Sequence, residues 1–244
     1  MFSCMACTKA KGDGGVKIVD LYNTSVEDMQ ARRWNPYLGI SVRNKYFTQE
    51  AILEFTKWGV AHAHTKFALL VVDILQRINN EVFEKGNTAK AIEKAFRQSD
   101  LIREYCQQAV AQLPEEQRAK VVIVEWADIV DDAYAQNRAL VFDCFESCPE
   151  FREYITHSVS KNLGGIVDRL KDGDLETLCQ YVLYEIPEFI RGFMHQGVHY
   201  NLCTYPGSIT YLTRDLVKQD FFRPVYSRLL SYGPVAHAEM YVEA

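Results

Sequence analysis

A chain of 244 residues can bury a core without disulfide or metal staples, and 48% hydrophobic with 24% charged residues excludes a disordered or fibrous protein. The net charge of −5 excludes a protein whose whole surface coats nucleic acid; only a local basic patch is compatible with it, and no DNA partner is expected. Seven cysteines, an odd number scattered through apolar segments (Cys106, Cys144, Cys179, Cys203), suit free thiols in a reducing compartment, so the expected location is the cytoplasm.

Residues 1–14, with Lys9, Lys11, Gly12 and Gly14, read as a loose tail without an apolar leader segment. Cys4 and Cys7 form a CxxC there, but no second CxxC or His pair stands at zinc-finger spacing, so no metal site is expected. The fold is expected over 15–244 as one unit. Val16–Leu21 alternates and is β-branched, predicting a strand, and Tyr37–Ser41 predicts another that hands over to a helix. Thr48 reads as the N-cap of that helix, along which Ile52, Leu53, Phe55 and Val60 recur at roughly helical spacing. Phe67–Asp73 reads as a buried strand, 88–112 as a helix, and Val121–Glu125 as another strand. Long helical patterns follow over 126–161 and 174–195, with Pro187 expected to break the second. His199–Tyr205 predicts a short strand, and the last forty or so residues read as one more helix and a tail. Such alternation predicts a mostly parallel central sheet with helices on both faces. No apolar stretch approaches the roughly 18 residues of a membrane span, so no membrane partner is expected.

Ser41 follows Gly39 at a predicted strand end, the edge where doubly wound sheets place their ligands. A turn-capping serine is the ordinary alternative. An α/β-hydrolase elbow needs G-x-S-x-G, but Arg43 stands where the second glycine belongs. The histidines, His62, His64, His157, His195, His199 and His237, form no HExxH motif, which leaves metal-assisted hydrolysis without support.

The segment Gly39-Ile-Ser-Val-Arg-Asn-Lys-Tyr-Phe47 resembles the cyclodipeptide synthase family, whose pattern there is Gly-x-Ser-x-x-Asn followed by Tyr-Phe and a helix. Trp58, Asp73, Tyr181-x-x-x-Glu185 with Pro187 behind it, and Tyr205 continue the resemblance in the family's order, over about residues 35–210. The resemblance implies a Rossmann-like domain similar to class I tyrosyl- and tryptophanyl-tRNA synthetases. It also implies two aminoacyl-tRNAs as substrates and no cofactor. HIGH and KMSKS sequences are absent, so ATP-dependent activation is not implied. Asn44, Tyr205 and Pro206 match the subtype with Tyr-Pro at its third motif.

By this resemblance Ser41 is the nucleophile that becomes the acyl-enzyme. Its ester donor is already activated, so positioning matters more than a strong base. Tyr181 and Glu185, four apart, share a helix face and are expected to hold the α-ammonium of the first amino acid. Tyr205 is implied as a proton relay in cyclisation. Gly39 lets the backbone approach the substrate, and Tyr37, Leu70 and Val72 correspond to the first side-chain pocket, although Leu70 and Val72 are equally ordinary core residues. Glu188 matches a position facing the pocket for the second amino acid, or else is a solvated residue beyond Pro187.

Lys90, Lys94 and Arg97, at i, i+4, i+7, make a basic helix face suited to tRNA phosphates, or a solvated face shared with Glu93. Two rival functions remain: a non-catalytic tRNA-binding or synthetase-like module, and a hydrolase using Cys203 as nucleophile. The sequence does not set the oligomeric state, and a monomer is compatible with it.

Overall fold

A computed structural model describes residues 15–84, 87–207 and 209–243. The expectations for residues 1–14, including Cys4 and Cys7, lie outside these. The strands are β1 (Val16–Tyr22), β2 (Pro36–Ser41), β3 (Phe67–Val72), β4 (Val121–Glu125), β5 (Phe193–His195), β6 (Val198–Tyr200), β7 (Leu202–Tyr205) and β8 (Ala236–Val242). The α-helices are α1 (Val26–Gln30), α2 (Gln49–His62), α3 (Gln76–Phe83), α4 (Thr88–Ala111), α5 (Glu115–Arg118), α6 (Asp132–Ser147), α7 (Pro149–Leu163), α8 (Asp174–Arg191), α9 (Ile209–Leu216) and α10 (Arg223–Tyr226).

One six-stranded sheet runs β1-β8-β7-β2-β3-β4, parallel throughout except where β8 meets β1 antiparallel, and β5 and β6 form a separate antiparallel pair. This is a Rossmann-like architecture, as the alternation of elements predicts. β3 is buried at every residue, the mark of a parallel strand covered on both faces. The period of two sorts its side chains and those of β2 between two layers. Leu38, Ile40, Phe67, Leu69 and Val71 pack against Ile52, Phe55 and Trp58 of α2 and Ile102 and Cys106 of α4. Tyr37, Ala68, Leu70, Val72 and Cys203 face the opposite layer, where Tyr181 and Tyr184 of α8 lie against them. α2 rides directly on β3, since a Cβ at Gly59 would stand 2.3 Å from the Phe67 ring.

Several sequence expectations need correction. α8 runs through Pro187 to Arg191 and does not break there. Proline forfeits one helical hydrogen bond, but Leu183, Ile186, Pro187, Phe189 and Ile190 are all buried, and that packing offsets the loss. The helix ends at Arg191, four residues before 195, and is capped by Gly192, which takes φ +65° and lies so close to the Tyr200 carbonyl that a Cβ would collide at 2.2 Å. The 126–161 pattern is a short 3-10 turn (Trp126–Ile129) followed by α6 and α7, divided at Cys148 with Pro149 opening α7. The predicted strand 199–205 is two strands in two sheets, separated at Asn201, which binds the backbone of Asn35. The C-terminal region contains α9, α10 and an inserted sheet strand, β8, rather than a helix and tail. Among the described residues no helix is long and apolar enough to cross a membrane.

Candidate active site

Ser41 closes β2 at the carboxyl edge of the parallel strands. Tyr37, Gly39 and Ser41 alternate onto the face that looks towards α8, opposite Leu70 and Val72 of β3 by the pairings Gly39 to Leu70 and Ser41 to Val72. Beyond Ser41 the chain turns before entering α2. The Asn44 amide donates to the Ser41 carbonyl at 3.0 Å, Asn44 Oδ1 accepts from the Tyr46 amide at 3.0 Å, and Thr48 Oγ1 caps α2 by accepting from the Ala51 amide at 3.2 Å. On the other side, β2 and β7 pair only as far as Leu38 and Thr204, so Tyr205 projects past the last paired rung towards Ser41. The Ser41 and Tyr205 hydroxyls are 3.3 Å apart, and Asn44 Nδ2 donates to the Tyr205 hydroxyl at 3.2 Å.

α8 supplies the opposite wall. The Tyr181 phenol lies beside both Ser41 and Glu185, close enough to act on the proton affinity of the Glu185 carboxyl. Ser41, Gly39, Val72, Glu185, Glu188 and Tyr205 all border one cavity of about 320 Å³. Glu185 keeps part of its surface on this cavity, whereas Glu188 is only 7% exposed. Burial raises the proton affinity of both carboxyls, and for Glu185 the neighbouring Glu188 adds to it, so Glu185 is pushed up to about 8. Burial also lifts Tyr181 and Tyr205 above the usual phenol range, which keeps both as neutral hydrogen-bonding groups. Burial raises Cys203 well above the ordinary thiol range, which disfavours the thiolate that the rival hydrolase would need as nucleophile.

The structure therefore brings Ser41, Asn44, Tyr181, Glu185 and Tyr205 together, with Gly39 and Val72 on the same cavity wall. Tyr37 and Leu70 lie just beneath, fully buried in the layer that contains Cys203. Glu188 is inside, not in solvent, because α8 persists and presents it one turn beyond Glu185. Sequence reading missed Asn162, Val182, Phe189, Gly207 and Leu212 as cavity residues, and assigned Cys203 no place in the wall. Val182 and Phe189 share the helical stripe of Glu185 and were findable from it. Asn162 and Leu212 come from α7 and α9, which no local pattern connects to Ser41.

The basic face lies on α4, away from the cavity. Lys90 and Lys94 both grip Glu84, Lys90 at 2.7 Å, and Arg97 stands 3.7 Å from Glu93. Lys90 and Arg97 remain well exposed despite these pairs, at 59% and 66% of their side-chain surface. Among the described residues, no three His, Cys, Asp or Glu side chains cluster as metal ligands would.

The sequence matches the family model described as cyclodipeptide synthase over residues 22–224. No curated protein sequence matches it. A Mycobacterium tuberculosis protein whose structure relates cyclodipeptide synthetases to type I tRNA synthetases is similar, with a TM-score of 0.73 at 16% identity, covering 96% of each chain. A cyclodipeptide synthase from Bacillus thermoamylovorans superposes with a TM-score of 0.70 at 16% identity, covering 89% of this chain and 93% of that one. One from Candidatus Glomeribacter gigasporarum, bound to Phe-tRNAPhe, gives 0.57 at 11% identity over 84% of this chain and 85% of that one. At these identities the structural likeness establishes the fold.

Proposed function

Because this chain belongs to the cyclodipeptide synthase family, we propose that it transfers an aminoacyl group from one aminoacyl-tRNA to Ser41, extends it with a second, and releases a 2,5-diketopiperazine. The observation that carries this reading is the meeting of Ser41, Tyr205 and Glu185 on one cavity at the carboxyl edge of β2, with Tyr181 of α8 beside Ser41 and Glu185. Ser41 Oγ attacks the aminoacyl ester, and its proton leaves with the ribose hydroxyl of the tRNA. The α-ammonium of the bound residue sits against Glu185 and Tyr181, where a charge-assisted bond restores the carboxylate that burial disfavours. Glu185 takes a proton from this ammonium, and the freed amine attacks the second aminoacyl ester to give a dipeptidyl-enzyme, the second tRNA leaving as its ribose hydroxyl with the proton the nitrogen gives up as the amide forms. The new terminal amine then attacks the seryl ester; Tyr205, already bonded to Ser41, returns a proton to Oγ as the ring closes.

Asn44, Tyr205 and Pro206 support the Tyr-Pro subtype, and 15–244 acting as one catalytic unit fits the sheet that spans it. The tRNA partner is supported by the relative bound to Phe-tRNAPhe and by the exposed cations of α4. The non-catalytic module is disfavoured, since a purely structural serine needs no buried carboxyl beside it. Expression in bacteria with mass spectrometry of the medium tests the reading: new diketopiperazines are expected, and their absence from a folded, tRNA-supplied enzyme refutes it.

Reversing Lys90, Lys94 and Arg97 together is expected to weaken binding of every aminoacyl-tRNA by about tenfold at low salt and to flatten its salt dependence, because phosphate contacts carry no sequence information. A filter-binding series over salt reads this, and a loss confined to one amino acid speaks against it. Glu185→Gln is expected to lower cyclic product at least about tenfold, a charge-assisted contact being worth roughly 1.5 to 3 kcal/mol. The same variant gains stability at alkaline pH. The folded-state pKa is raised to about 8, so the stability this group contributes is full below the ordinary carboxylate range and is lost as pH climbs through that value. Thermal melts should therefore show wild type falling behind Glu185→Gln by at least about 1 kcal/mol at pH 9, with the gap narrowing at pH 5; an equal gap at both overturns it.

A further inference from the structure

The cavity beside Ser41 is bordered by two carboxyl groups and, among the described residues, by no cation. Glu185 and Glu188 stand three residues apart on α8, about 4.5 Å in rise, and none of the described residues lining the cavity is Lys, Arg or His. In the seryl-transfer reading, on which this inference rests, the α-ammonium of the bound residue answers Glu185. Glu188 has no such answer. It is more than nine-tenths buried and borders the cavity, and its Oε1 completes no hydrogen bond. The fully buried Tyr37 hydroxyl lies beside it as a neighbouring donor that does not reach full hydrogen-bond geometry. Cys203, paired with Tyr37 across β2 and β7, makes the third polar group at this end. A buried acceptor left bare costs free energy unless a guest supplies the donor.

Geometry says which guest can reach it. Tyr37, Gly39 and Ser41 lie on one face of β2, with Gly39 between the polar end and the nucleophile. A Cβ built at Gly39 meets nothing within 4 Å, so the glycine leaves an open path along the strand from Ser41 towards Tyr37 and Glu188. A side chain on the residue esterified to Ser41 passes over that gap. This connects Glu188 to the first amino acid, not to the second with which sequence reading associated it.

We propose that the residue carried on Ser41 has a basic side chain, imidazole, ammonium or guanidinium, whose end is held by the Glu188 carboxylate and the Tyr37 hydroxyl. Two positive groups on the guest, its α-ammonium and its side chain, then meet the two carboxylates of the wall. Apolar side chains offer Glu188 no donor beyond the neighbouring Tyr37 hydroxyl and are disfavoured.

The test uses the full-length protein mixed separately with histidyl-, lysyl-, arginyl-, leucyl-, phenylalanyl- and seryl-tRNA, with intact-mass detection of the covalent adduct. Wild type is expected to form an adduct with at least one basic residue at least tenfold faster than with leucine, phenylalanine or serine. Glu188→Gln, which preserves shape, should lose at least tenfold of that rate. Glu188→Leu should transfer the preference to leucine or phenylalanine. A wild-type adduct dominated by an apolar or neutral residue overturns the inference while leaving seryl transfer intact, as does an unchanged profile in both variants. Failure of every aminoacyl-tRNA to acylate the wild type, or adducts that persist in Ser41→Ala, removes seryl transfer and this inference with it.

Discussion

Ser41→Ala is expected to abolish the covalent aminoacyl adduct and to lower cyclic dipeptide formation by at least about a thousandfold, since a covalent route has no substitute once its nucleophile is gone. The comparison is clean because the substitution costs the fold little. Ser41 is half-buried at a strand end, its hydroxyl meets Tyr205 at 3.3 Å, and Asn44 continues to hold the Tyr205 phenol. Melting temperature should move by only a few degrees, a lost neutral hydrogen bond being worth about 1 kcal/mol. Labelled aminoacyl-tRNA followed by denaturing gel electrophoresis measures the adduct. Label retained by Ser41→Ala, or cyclic product at a tenth of wild type or more, assigns the nucleophile elsewhere.

Ending the chain at Pro234 is expected to abolish cooperative thermal unfolding. Among the described residues β8 is the one strand that joins β1 to the rest of the sheet, and it buries Ala236, His237, Ala238 and Met240 completely or nearly so. Without it β1 is detached and the outer edge of β7, the strand that carries Tyr205, is stripped of its partner. The loss exceeds about 5 kcal/mol, comparable with the whole stability of an ordinary domain. Calorimetry of the truncated protein checks this, and a cooperative transition within a few degrees of wild type contradicts it.

The sequence makes some of this architecture plain and conceals the rest for physical reasons. β3 is visible because a parallel interior strand must be apolar on both faces, β4 because its run of β-branched residues favours a strand even at the sheet edge, and α2 because its cap and its apolar spacing agree. β8 is hidden because Ala-His-Ala-Glu-Met-Tyr-Val is weak as a strand; alanine fits there because the neighbouring strands and α2 close over it. The continuation of α8 through Pro187 is likewise a tertiary effect, decided by the buried residues on either side. At the site, Glu185 and Tyr181 are readable as a helical pair. The interior position of Glu188 is not, since it follows from the helix surviving its proline. The contribution of Cys203 depends on the register between β2 and β7, which no local pattern encodes.

β1 and β8 come from opposite ends of the described chain, Val16 lying against Val242. Closing so large a loop costs only a little more than closing a short one, because the entropy grows as the logarithm of length. Its price is paid in time, as pairings between distant segments form slowly. Until they do, β7 has β2 on one side and bare amides and carbonyls on the other, an edge that any extended strand nearby can occupy. The strand bearing Tyr205 is therefore open to mispairing while the protein folds, and the arrival of β8 ends that interval.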